Sequence, residues 1–193
     1  MKGVFIEGKT ILKTDFTLSP LEKGEYEECS FESCDFSGSD MSGIIFTGCK
    51  FSNCNLSLVN LSMAAFRDVA FRECKMLGLD FSICNRSGLS FSFEKCMLNS
   101  TSFSNTVIKM TKFTNSQLVE ADFTECDLTG SLFDGCDLTN TIFEKSVLER
   151  CDFRTSSNYS IDPEINRMKR AKFSLNGLPG LLGRYNIEID FGA

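Results

Sequence analysis

The sequence predicts an all-β solenoid, and three observations carry that expectation. A Phe or Leu recurs at every fifth residue from Phe123 through Leu128, Phe133, Leu138, Phe143 and Leu148 to Phe153. Two residues before each stands a small one: Ala121, Cys126, Ser131, Cys136, Thr141, Ser146 and Cys151. A period of five fits neither the 3.6 of a helix nor the 2.0 of a flat strand, so the wall must turn a corner every five residues.

The same phase runs back nearly to the start. Ile6, Ile11, Phe16 and Leu21 keep the register with poor small positions (Lys9 precedes Ile11), which suits a frayed or capping first coil. From Tyr26 the pattern tightens through Phe31, Phe36, Met41, Phe46, Phe51, Leu56, Leu61, Phe66, Phe71 and Met76 to Phe81. The next centre would be Arg86, which does not belong inside. Phe91 returns to phase, Phe93 opens a new one, and Leu98, Phe103, Ile108, Phe113 and Leu118 follow with the phase shifted by two. A small bulge or loop is therefore expected between residues 84 and 92, with Arg86 turned to solvent. It is either a harmless insertion or a contact loop, since loops carry binding residues more often than walls do.

After Phe153 the period is read as stopping, which divides the chain into a solenoid over 1–153 and a C-terminal segment over 154–193. Asp162-Pro163-Glu164 resembles a helix start. Leu178, Leu181, Leu182 and Tyr185 fall at i, i+3, i+4 and i+7 of a second helix, one apolar stripe. Ile187 to Phe191 alternates like a strand. Solenoid ends need caps, and such a tail serves either as one or as a surface for a second copy.

Composition narrows the function. The chain has 193 residues, a formal charge of −6 and no histidine. Nonspecific attraction to nucleic acid or anionic lipid is not expected. No apolar run is long enough for a membrane span, and MKGVFIEGKT lacks the apolar core of a signal peptide, so a cytoplasmic protein is expected. The ten cysteines all lie two residues before a repeat position, where a small hydrophobe is wanted, and none forms a C-x-x-C pair. A metal site is not expected. Cys34, Cys54 and Cys74 are twenty apart and should stack on successive coils, close enough for a bridge but in a reducing compartment. Without histidine the Ser-His and Cys-His nucleophile pairs are absent, and the carboxylates lie on outer walls in water. Gly3 to Thr10 spells a P-loop, but no strand precedes it and the five-residue phase follows it where a helix is required. A non-enzyme without cofactor is expected.

ADFTE, CDLTG and CDLTN at residues 121–125, 126–130 and 136–140 closely match the repeat A-[DN]-L-x-x. The chain thus resembles the pentapeptide-repeat family, whose fold is a right-handed quadrilateral β-helix with four pentapeptides per coil. The resemblance implies about thirty units in about seven and a half coils, a rod about 36 Å long at about 4.8 Å per coil. It extends to the quinolone-resistance (Qnr-type) and other gyrase-interacting members. In those, a C-terminal helical element joins two rods, which implies here a homodimer through Leu178, Leu181, Leu182 and Tyr185.

Charge along the chain is uneven. Residues 120–152 hold Glu120, Asp122, Glu125, Asp127, Asp134, Asp137, Glu144, Glu149 and Asp152 against Lys145 and Arg150. The resemblance then implies an acidic DNA mimic that binds DNA gyrase or topoisomerase IV and gives fluoroquinolone protection, with Glu120, Asp122, Glu125, Asp127, Asp134, Asp137 and Asp152 as the acidic face. Long projecting loops of the Qnr type are absent, and the middle of the rod is basic (Lys50, Arg67, Arg72, Lys75, Lys109 and Lys112). The alternative is a protein-interaction scaffold with an unrelated partner.

Overall fold

The computed structural model of the protein describes residues 3–190. The chain winds as a parallel β-solenoid with four walls. The first wall is a sheet of β1 (Val4–Glu7), β3 (Gly24–Glu27), β5 (Ile45–Thr47) and β7 (Ala65–Arg67) in that order. The second is a seven-stranded sheet of β2 (Thr10–Leu12), β4 (Ser30–Glu32), β6 (Lys50–Ser52), β8 (Val69–Arg72), β9 (Phe91–Glu94), β10 (Lys112–Thr114) and β11 (Leu132–Asp134). The third and fourth walls are narrower ladders. One runs Asp15, Asp35, Asn55, Lys75, Met97, Gln117, Asp137, Ser157; the other pairs Asp40 with Asn60 and runs from Asp80 through Ser102 and Asp122 to Ile142.

The five-residue period follows from this geometry. Each centre points inward, flanked by residues that pair with the coils above and below. The small residue two places earlier also points inward, and the fifth residue makes the corner. Corners take the left-handed conformation even without glycine: φ is 49° at Lys13, 59° at Met63, 53° at Glu73 and 59° at Met110. Such angles are uncommon for these residue types, and the ladders on both sides of each corner hold them there.

Rings from successive coils stack into columns. Phe31, Phe51, Phe71, Phe93, Phe113, Phe133, Phe153 and Phe173 form one, with neighbouring centroids 4.7–5.3 Å apart and planes within 20°. Phe81, Phe103, Phe123 and Phe143 form another, at 4.9–5.2 Å. Rings of adjacent columns meet edge-on, as Phe123 and Phe133 do at 90°. Offset stacks along the axis and edge contacts across it are the two arrangements aromatic quadrupoles favour.

All ten cysteines are buried free thiols at the small inward position. The thiols of Cys34, Cys54 and Cys74 donate to the carbonyls of Ile11, Phe31 and Phe51 one coil earlier, at 3.6, 3.4 and 3.4 Å. Cys96 extends this column, donating to Phe71.

The interruption is a two-residue bulge in the first wall. The Asn85 amide bonds to Ala64 and the Ser90 amide to Phe66, so the chain gains its extra length between them. Arg86, Ser87 and Gly88 are exposed, while Leu89 and Phe91 are buried. The bulge lifts a guanidinium out of the position that counting by twenty assigns to the core and puts Leu89 inside instead.

The C-terminal segment departs from expectation in three places. First, the solenoid does not end at Phe153: Val147 pairs with Arg167, Asp152 pairs with Lys172, and Phe173 stacks on Phe153 at 5.3 Å. Met168 and Phe173 are two more repeat centres. Second, Asp162 starts no helix. Its carboxylate accepts the Glu164 amide at 2.9 Å, the chain turns at residues 163–165, and it rejoins the wall. An isolated helical turn is marginal, and stacking Phe173 on Phe153 outweighs it. Third, the tail forms 3-10 helices, Leu175–Leu181 and Gly183–Tyr185, rather than an α-helix. Gly177, Gly180 and Gly183 with Pro179 disfavour the α-form. Any side chain at Gly180 would run into the Tyr159 carbonyl. The three-residue turn breaks the expected stripe: Leu181 packs on the core, Leu182 is half-buried, and Leu178 and Tyr185 stay exposed at 41 % and 51 %. Ile187 to Asp190 carries no strand, and Phe191 lies outside the described residues.

Candidate protein-binding surfaces

The smooth walls leave outward side chains as the surface available to a partner, so their charge must be sorted by wall. The third and fourth ladders carry Asp15, Asp35, Asp137, Asp40, Asp80 and Asp122, and among the described residues the one cation in either is Lys75. Glu120 stands at the corner between them and Glu144 beside Phe143 on the fourth wall. The first and second walls hold most of the cations: Lys50, Arg67, Arg72 and Lys112 on strands, Arg167 and Lys172 in the ladders, and Arg150 and Arg170 at a shared corner. The rod is two-sided, acidic on walls three and four and mixed with basic excess on walls one and two.

Along each acidic ladder the aspartates brace their own turns. Asp35, Asp80, Asp122 and Asp137 each accept the amide two residues on, at 2.9, 2.9, 2.8 and 3.1 Å. Asn55 and Asn60 do the same with Ser57 and Ser62 at 3.2 and 3.1 Å. This is the Asx turn, and either side chain makes it. Asparagine therefore substitutes for these aspartates without loss of the turn, removing only charge.

The seven carboxylates expected to form one face are placed on all four walls. Asp122 lies on the fourth and Asp137 on the third, with Glu120 at their corner; Asp127 lies on the first, Asp134 and Asp152 on the second, and Glu125 at the corner of the fourth and first. Those outside walls three and four are largely neutralised. Asp127 meets Lys109 at 3.0 Å, Asp152 meets Arg154 at 2.8 Å and Lys172 at 3.5 Å, and Glu125 meets Lys145 at 3.9 Å. Asp134 accepts the Thr155 hydroxyl at 2.7 Å. Among the described residues no ion pair reaches Glu120, Asp122 or Asp137. The Thr139 hydroxyl, then the Asn158 amide, hold the Asp137 carboxyl below its usual range. The Arg154 guanidinium takes Asp152 down to about 2.

Asp15, Asp35, Asp40 and Asp80 belong to the acidic side outside the acid-rich stretch 120–152, and Glu144 belongs to it outside the expected seven-residue face. A window along the chain hides them, because the members of one wall are twenty residues apart. Residue number counted in twenties, with two added after the bulge, brings them together. Among the first three, Asp15 is held low by Thr17, and Asp40 is taken to about 2 by Lys23, 2.8 Å away.

Arg86 stands exposed on the bulge of the first wall, and among the described residues nothing pairs with it. At the C-terminal end an open cleft of about 500 Å³ is lined by Ile142, Ile165, Asp162 and Arg184. Arg184 bridges Asp162 and Glu164 at 2.9 Å each, and the Tyr185 hydroxyl donates to Glu164 at 2.8 Å. These contacts pin the tail against the last coil. Among the described residues no cluster of His, Cys, Asp and Glu suits a metal ion, and no helix is long and apolar enough to cross a membrane.

Among curated proteins none matches the chain in sequence. Solved structures of two trypsin-treated variants of QnrB1, a plasmid-mediated fluoroquinolone resistance protein, are similar over nearly the whole length. They are 23 % and 22 % identical, cover 98 % of this chain and 99 % and 100 % of their own, and give TM-scores of 0.53. HetL, a pentapeptide-repeat protein involved in heterocyst differentiation regulation from the cyanobacterium Nostoc sp. strain PCC 7120, covers 92 % of this chain and 89 % of its own at 11 % identity, with a TM-score of 0.46. At 23 % and 22 % identity the likeness to the QnrB1 variants is one of fold. The family model described as a pentapeptide repeat region matches residues 25–92 and 89–159. With inward Phe and Leu, small residues two places earlier and left-handed corners through both spans, the chain belongs to the pentapeptide-repeat family.

Proposed function

We propose that the protein is a non-catalytic binding rod whose acidic side, walls three and four, enters the basic DNA-binding saddle of a type II topoisomerase, DNA gyrase foremost. The observation that supports this reading is the separation of charge by wall. Asp35, Asp80, Asp122 and Asp137 in the ladders, with Glu120 at the corner and Glu144 beside Phe143, form a long acidic surface, and among the described residues no cation pairs with these six. A basic saddle lined for duplex phosphates attracts such a surface by charge complementarity. The fold likeness to QnrB1 adds fluoroquinolone protection as the expected consequence.

Gyrase supercoiling of relaxed plasmid tests this, with and without a fluoroquinolone. The wild-type protein is expected to inhibit supercoiling or relieve the drug, and D35N/D80N/D122N/D137N to lose that effect while keeping its fold. Equal activity of the two proteins would exclude the acidic side as the binding surface.

A second reading rests on the C-terminal end. Ile165, Leu178, Tyr185 and Ile187 are exposed there together. Such a surface suits an apolar contact with another protein or with a second copy of this rod. Binding through it would be insensitive to salt, whereas binding through the acidic side weakens steeply as salt rises.

A further inference from the structure

Among the described residues nothing covers the N-terminal end of the rod, whereas the C-terminal end is covered. At the C-terminal end Tyr159 packs on Phe153 and Phe173, Leu181 packs on the core, and the Ile161 amide bonds to Gly180 at 2.8 Å, so the first 3-10 helix lies over the last coil. At the N-terminal end β1 pairs with β3 and β2 with β4, and no described residue pairs with their other edges.

The direction of each backbone group on those edges follows from the ladder. The amides of Val4 and Gly8 donate to the second coil, as does that of Lys13, and the Lys9 carbonyl accepts from Ser30. Groups alternate sides along a strand in a parallel ladder, so Phe5, Glu7, Thr10 and Leu12 turn both N–H and C=O away from the rod. Phe5 is 62 % exposed and Leu12 56 %, large apolar side chains at outward positions of a wall that is otherwise mostly polar. Ile6 and Ile11 lie between them, half-buried on the open core. The fourth wall offers nothing comparable. In later coils its ladder residue donates to the preceding coil, as Asn60 does to Ser39, but the equivalent residue of the first coil is Pro20, which has no N–H.

We propose that this end is an interface with a second copy of the chain, formed by antiparallel pairing of β1 with β2 of the other rod and of β2 with its β1. A two-fold axis through the Gly8–Lys9 corner brings this about. It sets Phe5 opposite the other copy's Leu12 and Glu7 opposite its Thr10. These are the four residues of β1 and β2 whose N–H and C=O both face out, and directly opposed residues of that kind exchange both bonds in an antiparallel pair. The same register sets Ile6 against Ile11 across the axis, so the two cores become continuous, and buries Phe5 on Leu12. A two-fold contact of this kind closes on itself, so the first coil gains a cap without opening a route to fibres. The inference does not depend on the topoisomerase reading.

Sedimentation velocity over a concentration series, with hydrogen exchange of single amides, tests it. The variants are F5K/L12K, whose substitutions are outward and exposed, and L178E/Y185E at the other end; circular dichroism checks that each is folded. The wild type is expected to dimerise, with slow exchange at Phe5, Glu7, Thr10 and Leu12. F5K/L12K is expected to halve the mass and free those amides, and L178E/Y185E to retain the N-terminal dimer. A monomeric wild type, fast exchange at the four amides in the wild type, an F5K/L12K protein of unchanged mass, or a monomeric L178E/Y185E protein would each overturn the proposal. An edge covered by another segment of the same chain would appear as a monomer with slow edge amides, which also overturns it. Failure of the topoisomerase reading would leave all these masses unchanged.

Discussion

The ring of Phe71 lies 5.3 Å from that of Phe93 with planes 10° apart, although twenty-two residues separate the two where its neighbours in the column are separated by twenty. The bulge is thus absorbed within one wall, and the column beyond it is undisturbed. Leu89 is what fills the first wall at that level. Leu89→Ala should cost about 2–5 kcal/mol, the range for truncating a buried leucine, while Arg86→Ala at the exposed crest should stay within about 0.5 kcal/mol. Urea unfolding of the two variants separates these values; equal effects would mean that Leu89 does not carry the packing.

The aromatic columns make the core strongly dependent on single rings. Phe113 stacks on Phe93 at 5.2 Å and Phe133 at 4.8 Å and meets Phe103 and Phe123 edge-on. Phe113→Ala is expected to destabilise by about 3–5 kcal/mol, and Phe113→Leu by much less because most of the volume is kept. Thermal melts followed by circular dichroism report the order, and an alanine variant that melts with the leucine variant would contradict it.

Much of this core was legible in the sequence because inward residues recur at a fixed interval and tolerate few types. The interval broke twice, for different physical reasons. At Arg86 the extra residues were visible as a phase shift, and the bulge lies where that shift places it. After Phe153 the next two centres are Asn158 and Pro163, neither a large apolar side chain of the Phe or Leu kind, so the sequence pattern stops there while the wall does not. Yet Tyr159 fills the space beside them, and Asn166, at the small position before Met168, is buried with its amide bonded to the Phe143 carbonyl at 2.6 Å. The acidic side was hidden for another reason. Its members are neighbours across coils and strangers along the chain, so Asp35 and Asp137 appear together only when residues are sorted by wall.

Corner residues offer a test of backbone strain. Met63 holds φ of 59° with its side chain mostly exposed. The left-handed region costs a non-glycine residue about 1–2 kcal/mol, while glycine adds about 0.5–1 kcal/mol of unfolded-state entropy. Met63→Gly should therefore be neutral or stabilising by up to about 1.5 kcal/mol, the reverse of the usual effect of glycine in a wall. A clear loss of stability in urea would show that the Met63 side chain contributes packing at that corner.

Two ion pairs set part of the acid response. Lys23 holds Asp40 and Arg154 holds Asp152 at about 2, below the ordinary aspartate value of about 3.9. A lowered folded-state pKa gives stability that is present above about pH 4 and is lost as pH falls towards 2. D40N/D152N should flatten the stability curve in that window and leave it unchanged in shape above pH 5. A variant whose curve parallels the wild type between pH 4 and 2 would remove these two groups from the acid transition.

The thiols should be silent until the chain unfolds. Burial pushes Cys49 and Cys136 up to about 11 and Cys84, Cys126 and Cys151 up to about 12. All ten are buried out of reach of a bulky reagent, so an aromatic disulfide reagent at pH 8 should label none of the native cysteines and all ten in denaturant. Rapid native labelling would mean that the coils open locally.

The most direct test of the acidic side is a binding titration of DNA gyrase at several salt concentrations. Three proteins are compared: the wild type, D35N/D80N/D122N/D137N on walls three and four, and K50Q/R72Q/K112Q on the second wall. The expected result is that the acidic-side variant binds at least about tenfold more weakly with a shallower salt dependence, while the second-wall variant binds as well as the wild type or better. Wild-type affinity in the acidic-side variant, with the same response to salt, would contradict the proposed role of those walls.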